Sequence, residues 1–133
     1  MSRLREGDRL EPLVVEAVEA GPMKTMAVLL RDPNPIHWDV AVTRTLGLGD
    51  RPVNQGPINM SYLIELAARA AGGADKVRRF SVRFLGNVFA GDRVVCEGQV
   101  TSLDADTGQA TLELTASVDG RPVLAGSATV SLA

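Results

Sequence analysis

The longest stretch of the chain without an internal glycine or proline is PINMSYLIELAARAA, residues 57–71. Proline is favoured in the first turn of a helix and Gly72-Gly73 is a typical stop, so the stretch predicts a helix about 22 Å long at about 1.5 Å per residue. Glu65 and Arg69 are its only charged residues, and their spacing favours an ion pair on one exposed face. The other positions are apolar or small. Such a helix must be covered on most of its circumference, and a single sheet wrapped around it is the simplest cover.

The second half of the chain predicts that sheet. Residues 77–84 alternate apolar with cationic or polar side chains, which indicates a strand with one apolar face. Further strands are predicted over 92–102, 109–117 and 121–132. The Asp119-Gly120 pair between the last two is typical of a two-residue hairpin loop. A long helix against a meander of antiparallel strands is an α+β fold, and we expect residues 1–133 to form one domain.

Shorter elements are predicted in the first half of the chain. Residues 8–19 are expected to form a strand or an extended arm, with the strand favoured. Residues 23–30 carry apolar side chains at most positions without strand-like alternation, which predicts a short helix. Residues 39–46 predict a second short helix that Gly47 ends. The two helices flank residues 32–37.

Composition and charge restrict the class of protein. A length of 133 residues suits one domain, and 45% hydrophobic with 23% charged residues is typical of a globular chain. Lysine and arginine total 14 against 16 acidic residues, so the charge gives no reason to expect nucleic acid or an anionic membrane as partner. No apolar run approaches the roughly 18 residues of a membrane span, and no signal-peptide core follows Met1. The predicted location is the cytoplasm.

Residues 32–37, DPNPIH, place an acid and the only histidine five positions apart around two prolines. We call this segment the DPNPIH turn. Each proline fixes its own φ and disfavours helical geometry in the residue before it, which makes a stiff turn that can aim side chains. Asp32 and His37 aimed at one point can transfer protons through a water molecule, and the Asn34 amide can orient a water or a carbonyl. The alternative is an ordinary turn in which Asp and Asn cap backbone groups.

Three further elements follow the DPNPIH turn in order: Gln55-Gly56-Pro57, Arg83-Phe84 and Gly91-Asp92. The series resembles the MaoC-like (R)-specific enoyl-CoA hydratase and dehydratase family, whose signature reads Asp-x-Asn-Pro-Ile-His, then a His-Gly or similar pair, then an Arg-Phe…Gly-Asp segment. The resemblance covers nearly the whole chain, from Glu6 onward. It implies a hot-dog fold, in which an antiparallel sheet wraps one long central helix.

The resemblance also implies a reaction and its residues. The expected chemistry is reversible addition of water to a 2-enoyl thioester, or dehydration of an (R)-3-hydroxyacyl thioester, by a hydro-lyase. Asp32 and His37 would share a water or hydroxyl, Asn34 would orient the groups, and the Gly56 N–H would bind the thioester oxygen. A free N–H at a helix N-terminus, aimed at developing negative charge, can contribute roughly 3 kcal/mol. Alternatively, Gly56 merely permits the turn before Pro57. The sequence leaves open which of Asp32 and His37 is the acid.

Two other functions stay open at this point. The same fold could hydrolyse the thioester, or the chain could be a non-catalytic subunit that pairs with a catalytic hot-dog chain. The presence of both Asp32 and His37 argues against the second. Two departures from the family pattern concern the range of substrates: Gln55 stands where many members carry His, and Arg31 replaces the usual glycine before Asp32.

No cofactor or metal is predicted. With one histidine and one cysteine, the chain lacks the ligands of a zinc site, and it has no glycine-rich nucleotide-binding motif. Cys96 lies in a strand-like setting, which indicates packing rather than a catalytic thiol.

The predicted partner is an acyl thioester of coenzyme A or an acyl carrier protein. The densest basic patch could bind its phosphates or could simply be solvated charge: Lys76, Arg78, Arg79 and Arg83. A lone sheet on one helix leaves edge strands unpaired, so we expect a homodimer, or a heteromer with a second hot-dog chain as the competing assembly.

Overall fold

A computed structural model describes residues 4–133. Three α-helices and five β-strands follow one another along the chain. They are β1 (Leu13–Val15), α1 (Gly21–Leu30), α2 (Val40–Thr45), α3 (Gly56–Ala71), β2 (Val77–Phe84), β3 (Val94–Asp104), β4 (Gln109–Val118) and β5 (Arg121–Ser131). Short 3₁₀ turns at Pro35–His37 and Ala74–Lys76 precede α2 and β2.

The five strands form one antiparallel sheet in the order β1-β3-β4-β5-β2. Strands β3, β4 and β5 are the long central ones, whereas β1 and β2 lie at the two edges. The β4–β5 hairpin turns at Asp119 and Gly120, whose φ values of 51° and 74° are both positive. This is the geometry that an Asp-Gly loop favours, and the predicted hairpin is confirmed.

Helix α3 packs against one face of the sheet. Leu63, Leu66 and Ala67 on the helix are buried, and every second residue of β4 from Ala110 to Val118 is buried as well. The exposed Glu65 and Arg69 side chains pair at 2.7 Å on the opposite side of the helix. The α+β fold of a long helix covered by an antiparallel sheet is therefore confirmed.

The N-terminal segment differs from the favoured expectation of a strand over 8–19. Only β1 is a strand there, with one further isolated bridge between Arg9 and Gln99. Pro12 has no N–H to donate to a ladder, and the buried residues Leu10, Leu13 and Val18 do not follow the two-residue period of a strand. Most of the segment is the extended arm that was the alternative.

The remaining helices agree with the sequence. Predicted helices 23–30, 39–46 and 57–71 correspond to α1, α2 and α3 with shifts of one or two residues at their ends. Within residues 4–133, no helix has the length and apolar character needed to cross a membrane.

Candidate active site

The DPNPIH turn begins where α1 ends. Arg31 has φ 51° and ψ 40°, the left-handed conformation typical of a helix C-terminus. The Asp32 N–H donates to the Ala27 carbonyl at 2.9 Å, which ties the turn to the last turn of α1. Glycine adopts this conformation without strain, whereas the left-handed conformation raises the energy of a residue with a side chain by on the order of 1 kcal/mol. The glycine that the resemblance leads one to expect before Asp32 would avoid this strain, whereas Arg31 adopts the left-handed conformation with it.

Asp32 and Asn34 both cap local backbone groups. The Asn34 N–H donates to Asp32 Oδ1 at 3.0 Å, and the Ile36 N–H donates to Asn34 Oδ1 at 3.3 Å. The exposed Asn34 side chain thus caps the 3₁₀ turn, while its backbone N–H orients the Asp32 carboxylate. The turn contact uses Oδ1 of Asp32 and leaves Oδ2 free to face His37. The role of an ordinary turn and the proposed role in proton transfer are therefore compatible.

His37 is 7% exposed and lies on the 3₁₀ turn. Its Nδ1 is 2.6 Å from the Val53 carbonyl oxygen. A carbonyl can only accept, so Nδ1 carries the proton, and Nε2 of the neutral ring is left with a lone pair. That nitrogen lies 3.4 Å from Asp32 Oδ2, a carboxylate whose side chain is 33% exposed. The separation exceeds a normal hydrogen bond of about 2.7–3.2 Å, so both atoms can contact one small molecule from the solvent side.

The Val53 carbonyl is held by backbone pairing on both sides. The Val53 N–H donates to the Ile36 carbonyl at 2.9 Å, and the Asn54 N–H donates to the Val88 carbonyl at 2.7 Å. The Ala90 N–H completes the arrangement by donating to the Pro52 carbonyl at 3.0 Å. We call residues 52–54 the 52–54 bridge, since they join the DPNPIH turn to the loop before β3.

Asp92 fixes the loop on the far side of the 52–54 bridge. This buried carboxylate accepts from Arg51 Nη1 at 2.7 Å and from the Phe89 N–H at 2.9 Å. Arg51 Nη1 also donates to the Ala90 carbonyl at 3.0 Å, and its guanidinium lies 5.3 Å from the centre of the Phe89 ring. The Gly91-Asp92 element, for which no role was predicted, therefore supports the 52–54 bridge that orients His37.

Gly56 is the first residue of α3. Its N–H has no hydrogen-bond acceptor within the described part of the chain, as expected for the first N–H groups of a helix. A side chain here would meet a neighbour, because an added Cβ would lie 3.1 Å from Cε1 of Phe84. Gly56 thus combines a free donor at the positive end of the helix with close approach of an aromatic ring.

The structural roles of two buried amide side chains beside Gly56 were not predicted from the sequence. Gln55 Nε2 donates to the Met23 carbonyl at 2.6 Å, which ties the start of α3 to α1. Asn54 Nδ2 donates to Asn59 Oδ1 at 2.8 Å and to the Tyr62 hydroxyl at 3.1 Å. Burial raises the pKa of Tyr62, although the Asn54 hydrogen bond acts in the opposite direction. Gln55 therefore has a structural role at the position where the resemblance leads one to expect His.

Cys96 and the basic patch lie outside this constellation. Burial raises the pKa of Cys96 to about 11, so the thiol stays protonated at neutral pH and packs in the core. Arg78 is used locally, donating to the Asp75 carbonyl at 2.6 Å, whereas Arg79 and Arg83 are exposed along β2. Among residues 4–133, no three His, Cys, Asp or Glu side chains come together as a metal site would require.

The model of the MaoC like domain matches residues 17–120, a stretch that contains the DPNPIH turn, Gly56 and Asp92. The chain belongs to the MaoC-like family. The MaoC-like assignment agrees with the antiparallel sheet and long helix described above, and the predicted hot-dog fold is confirmed.

Solved structures of related proteins agree with this assignment. The (R)-hydratase of A. caviae involved in PHA biosynthesis is 30% identical over 98% of each chain, with a TM-score of 0.86. Two more distant structures show the fold alone. R-hydratase PhaJ1 from Pseudomonas aeruginosa is 20% identical over 96% of this chain and 81% of that one, with a TM-score of 0.78. A chain of the ChsH1-ChsH2 complex from Mycobacterium tuberculosis is 16% identical over 97% and 98%, with a TM-score of 0.83. A search of curated proteins gives no match.

Proposed function

We propose that this MaoC-like chain catalyses the reversible hydration of 2-enoyl thioesters and the dehydration of (R)-3-hydroxyacyl thioesters. The observation that carries the proposal is the environment of His37. Its Nδ1 donates to a backbone carbonyl, and Nε2 presents a lone pair 3.4 Å from the Asp32 carboxylate. A base and an anionic acceptor side by side suit the activation of one water molecule. The (R)-hydratase of A. caviae, with 30% identity, supports the same reaction class.

In the hydration direction, His37 Nε2 takes a proton from the water while the water oxygen bonds to Cβ of the substrate. The second O–H of the water stays intact and donates a hydrogen bond to the Asp32 carboxylate, which also stabilises the imidazolium that forms. The electron pair of the double bond moves toward the thioester oxygen, and Cα then takes the proton back from His37. One water is added and both side chains return to their starting state. Dehydration follows the same steps in reverse.

The Gly56 N–H is proposed to hold the thioester oxygen during this step. It is the first donor of a 16-residue helix and is not used within the described fold. A donor at this end of the helix dipole stabilises an enolate-like oxygen more than it stabilises the neutral carbonyl. Asn34 contributes by aligning Asp32 through its backbone N–H.

One assay separates hydration from the two other functions. The purified chain is mixed with crotonyl-CoA, and the enoyl absorbance and the release of free thiol are followed together. We expect the enoyl absorbance to fall without thiol release. Thiol release in step with substrate loss would instead identify a thioesterase. An inert chain that gains activity when a second hot-dog chain is added would be a non-catalytic subunit.

The exposed Arg79 and Arg83 on β2 suit phosphates of coenzyme A or of the phosphopantetheine arm of an acyl carrier protein. The cytoplasmic location stays a prediction.

We also propose that a second copy pairs with the β2 edge of the sheet. Among the described residues 4–133, strand β2 pairs only with β5, so one side of its backbone has no partner there, and Phe84 and Leu85 beside it are half exposed. A homodimer would cover this edge. Light scattering at micromolar concentration should therefore give twice the mass of one chain, with activity lost on dissociation. A stable and active monomer would contradict the pairing, and activity only with a different chain would indicate a heteromer.

A further inference from the structure

Only two residues separate the group that orients His37 from the proposed donor to the thioester oxygen. The Val53 carbonyl accepts from His37 Nδ1 at 2.6 Å, and Gly56 carries the free N–H at the start of α3. A chain extends by at most about 3.6 Å per residue, so the Cα atoms of Val53 and Gly56 are no more than about 11 Å apart. The placement of both groups therefore depends on how residues 54 and 55 are held.

Asn54 is held from two directions. Its backbone N–H donates to the Val88 carbonyl at 2.7 Å, which ties it to the segment before β3. Its side-chain Nδ2 donates to Asn59 Oδ1 at 2.8 Å and to the Tyr62 hydroxyl at 3.1 Å. Asn59 and Tyr62 are three positions apart in α3, so they lie on one face of that helix. Both hydrogens of the Asn54 amide therefore join it to the helix that begins at Gly56.

Burial turns these hydrogen bonds into directional constraints. Asn54 is 4% exposed and Asn59 is 3% exposed, so neither amide can exchange its partner for bulk water. Among residues 4–133, nothing donates to Asn54 Oδ1, although this oxygen is buried as well. Burying a polar atom without a partner lowers stability, so an apolar side chain would suit this position better if packing were its only role. The amide instead fixes the rotation of the side chain, which apolar contacts do not.

We propose that Asn54 is a positioning residue, which anchors the Val53 carbonyl to α3 and thereby keeps the proton of the His37 ring on Nδ1. The effect on turnover rests on the proposed function, whereas the effect on the ring does not. When Asn54 is released, the Val53 carbonyl moves relative to the ring, and Nδ1 loses its acceptor. A neutral imidazole without such an acceptor carries its proton on either nitrogen, so Nε2 no longer keeps a free lone pair beside Asp32.

The tautomer of His37 can be observed directly. His37 is the only histidine of the chain, so the two imidazole nitrogens seen by NMR are its own. At a pH at which imidazole is neutral, we expect a protonated Nδ1 and an unprotonated Nε2 in the wild type. In Asn54→Ala, whose side chain reaches neither acceptor, we expect the averaged shifts of two exchanging tautomers. A variant that keeps the Nδ1-protonated form, or a wild type protonated on Nε2, would overturn the proposal.

The same substitution tests the effect on turnover. We expect Asn54→Ala to lower kcat for hydration of crotonyl-CoA by about ten- to a hundredfold with little change in KM, because a misaligned base affects the chemical step more than binding. Tyr62→Phe removes one of the two acceptors at almost constant volume and leaves the bond to Asn59. We expect about threefold lower kcat and partial averaging of the tautomers in this milder variant. Wild-type kcat and tautomer in Tyr62→Phe would overturn the proposal, also where Asn54→Ala fails to fold.

Thr43→Val is the matched control for the loss of a buried hydrogen bond. Thr43 is fully buried in α2, and its hydroxyl donates to the Val40 carbonyl at 2.9 Å rather than to residues 53–56. We expect this variant to lose stability but to keep the wild-type tautomer and a kcat within about twofold. Equal effects in Thr43→Val and Asn54→Ala would show that the tautomer follows overall stability and would overturn the proposal. A chain that hydrates no enoyl-CoA, but whose tautomer changes in Asn54→Ala alone, would refute the proposed function and leave the positioning role supported.

Discussion

We expect His37→Ala to lower kcat for hydration of crotonyl-CoA by at least about a hundredfold, and Asp32→Asn to do the same. A positioned acid or base typically contributes about 10²–10⁴-fold, and each substitution removes one of the two groups proposed to act on the water molecule. Asp32→Asn is preferable to alanine because an amide oxygen can still accept from the Asn34 N–H and preserve the turn. The measurement is steady-state kinetics on variants whose circular dichroism and mass match the wild type.

Asp39→Ala provides the matched control for the loss of a cap. Asp39 accepts from the Ala41 N–H at 3.0 Å, the same kind of contact that Asp32 makes, but no histidine faces it. We expect it to lower stability by about 1 kcal/mol and to leave turnover within about twofold of the wild type. Near wild-type hydration by Asp32→Asn or His37→Ala would refute the mechanism.

The double variant distinguishes a shared water from two independent groups. If Asp32 and His37 act on one water molecule, kcat of the double variant should be little lower than kcat of the less active single variant. If the fold decreases in kcat of the two single variants multiply in the double variant, the residues have separate roles. The mechanism would then require Asp32 to exchange a proton with the substrate directly.

Gly56→Pro is expected to lower kcat by about 10²–10³-fold, the range for loss of one donor to a developing oxyanion. Proline suits the site conformationally, because position 56 is the first residue of α3 and Gln55 before it is already extended at ψ 146°. The substitution therefore removes the N–H with little change to the helix.

Gly56→Ala separates the N–H from the space that glycine leaves. Alanine retains the donor but brings a Cβ to 3.1 Å from the Phe84 ring, which is half exposed and can rotate aside. We expect a loss of less than about tenfold, well short of that in Gly56→Pro. Equal losses in the two variants would show that crowding of Phe84, rather than the donor, matters at this position.

Local signals explain what could be predicted from the sequence. Helix α3 is bounded by Pro57 and Gly72, and the β4–β5 hairpin has its own Asp-Gly pair. Asp32 and His37 lie within six residues, so a stiff turn between them was enough to indicate that they meet. In each case the deciding interactions connect residues close in sequence.

Contacts between distant segments could not be predicted in the same way. The acceptor for His37 is a backbone carbonyl, which every residue possesses, so no side chain at Val53 marks it. The support from Arg51 and Asp92 joins residues 41 positions apart. Burial of Gln55 depends on the Met23 carbonyl lying beside it, which polar character alone does not indicate.

The 52–54 bridge also bears on how the site forms during folding. Residues 32–37 can adopt their turn from prolines and caps alone, but the ring of His37 has no defined tautomer until Val53 arrives. Val53 is in turn held by the segment before β3, through its bridge to Phe89 and the Asn54–Val88 hydrogen bond, which join residues more than 30 positions apart. The proposed base therefore depends on contacts between distant segments, and a partly folded chain that lacks them would carry the complete motif without an oriented lone pair.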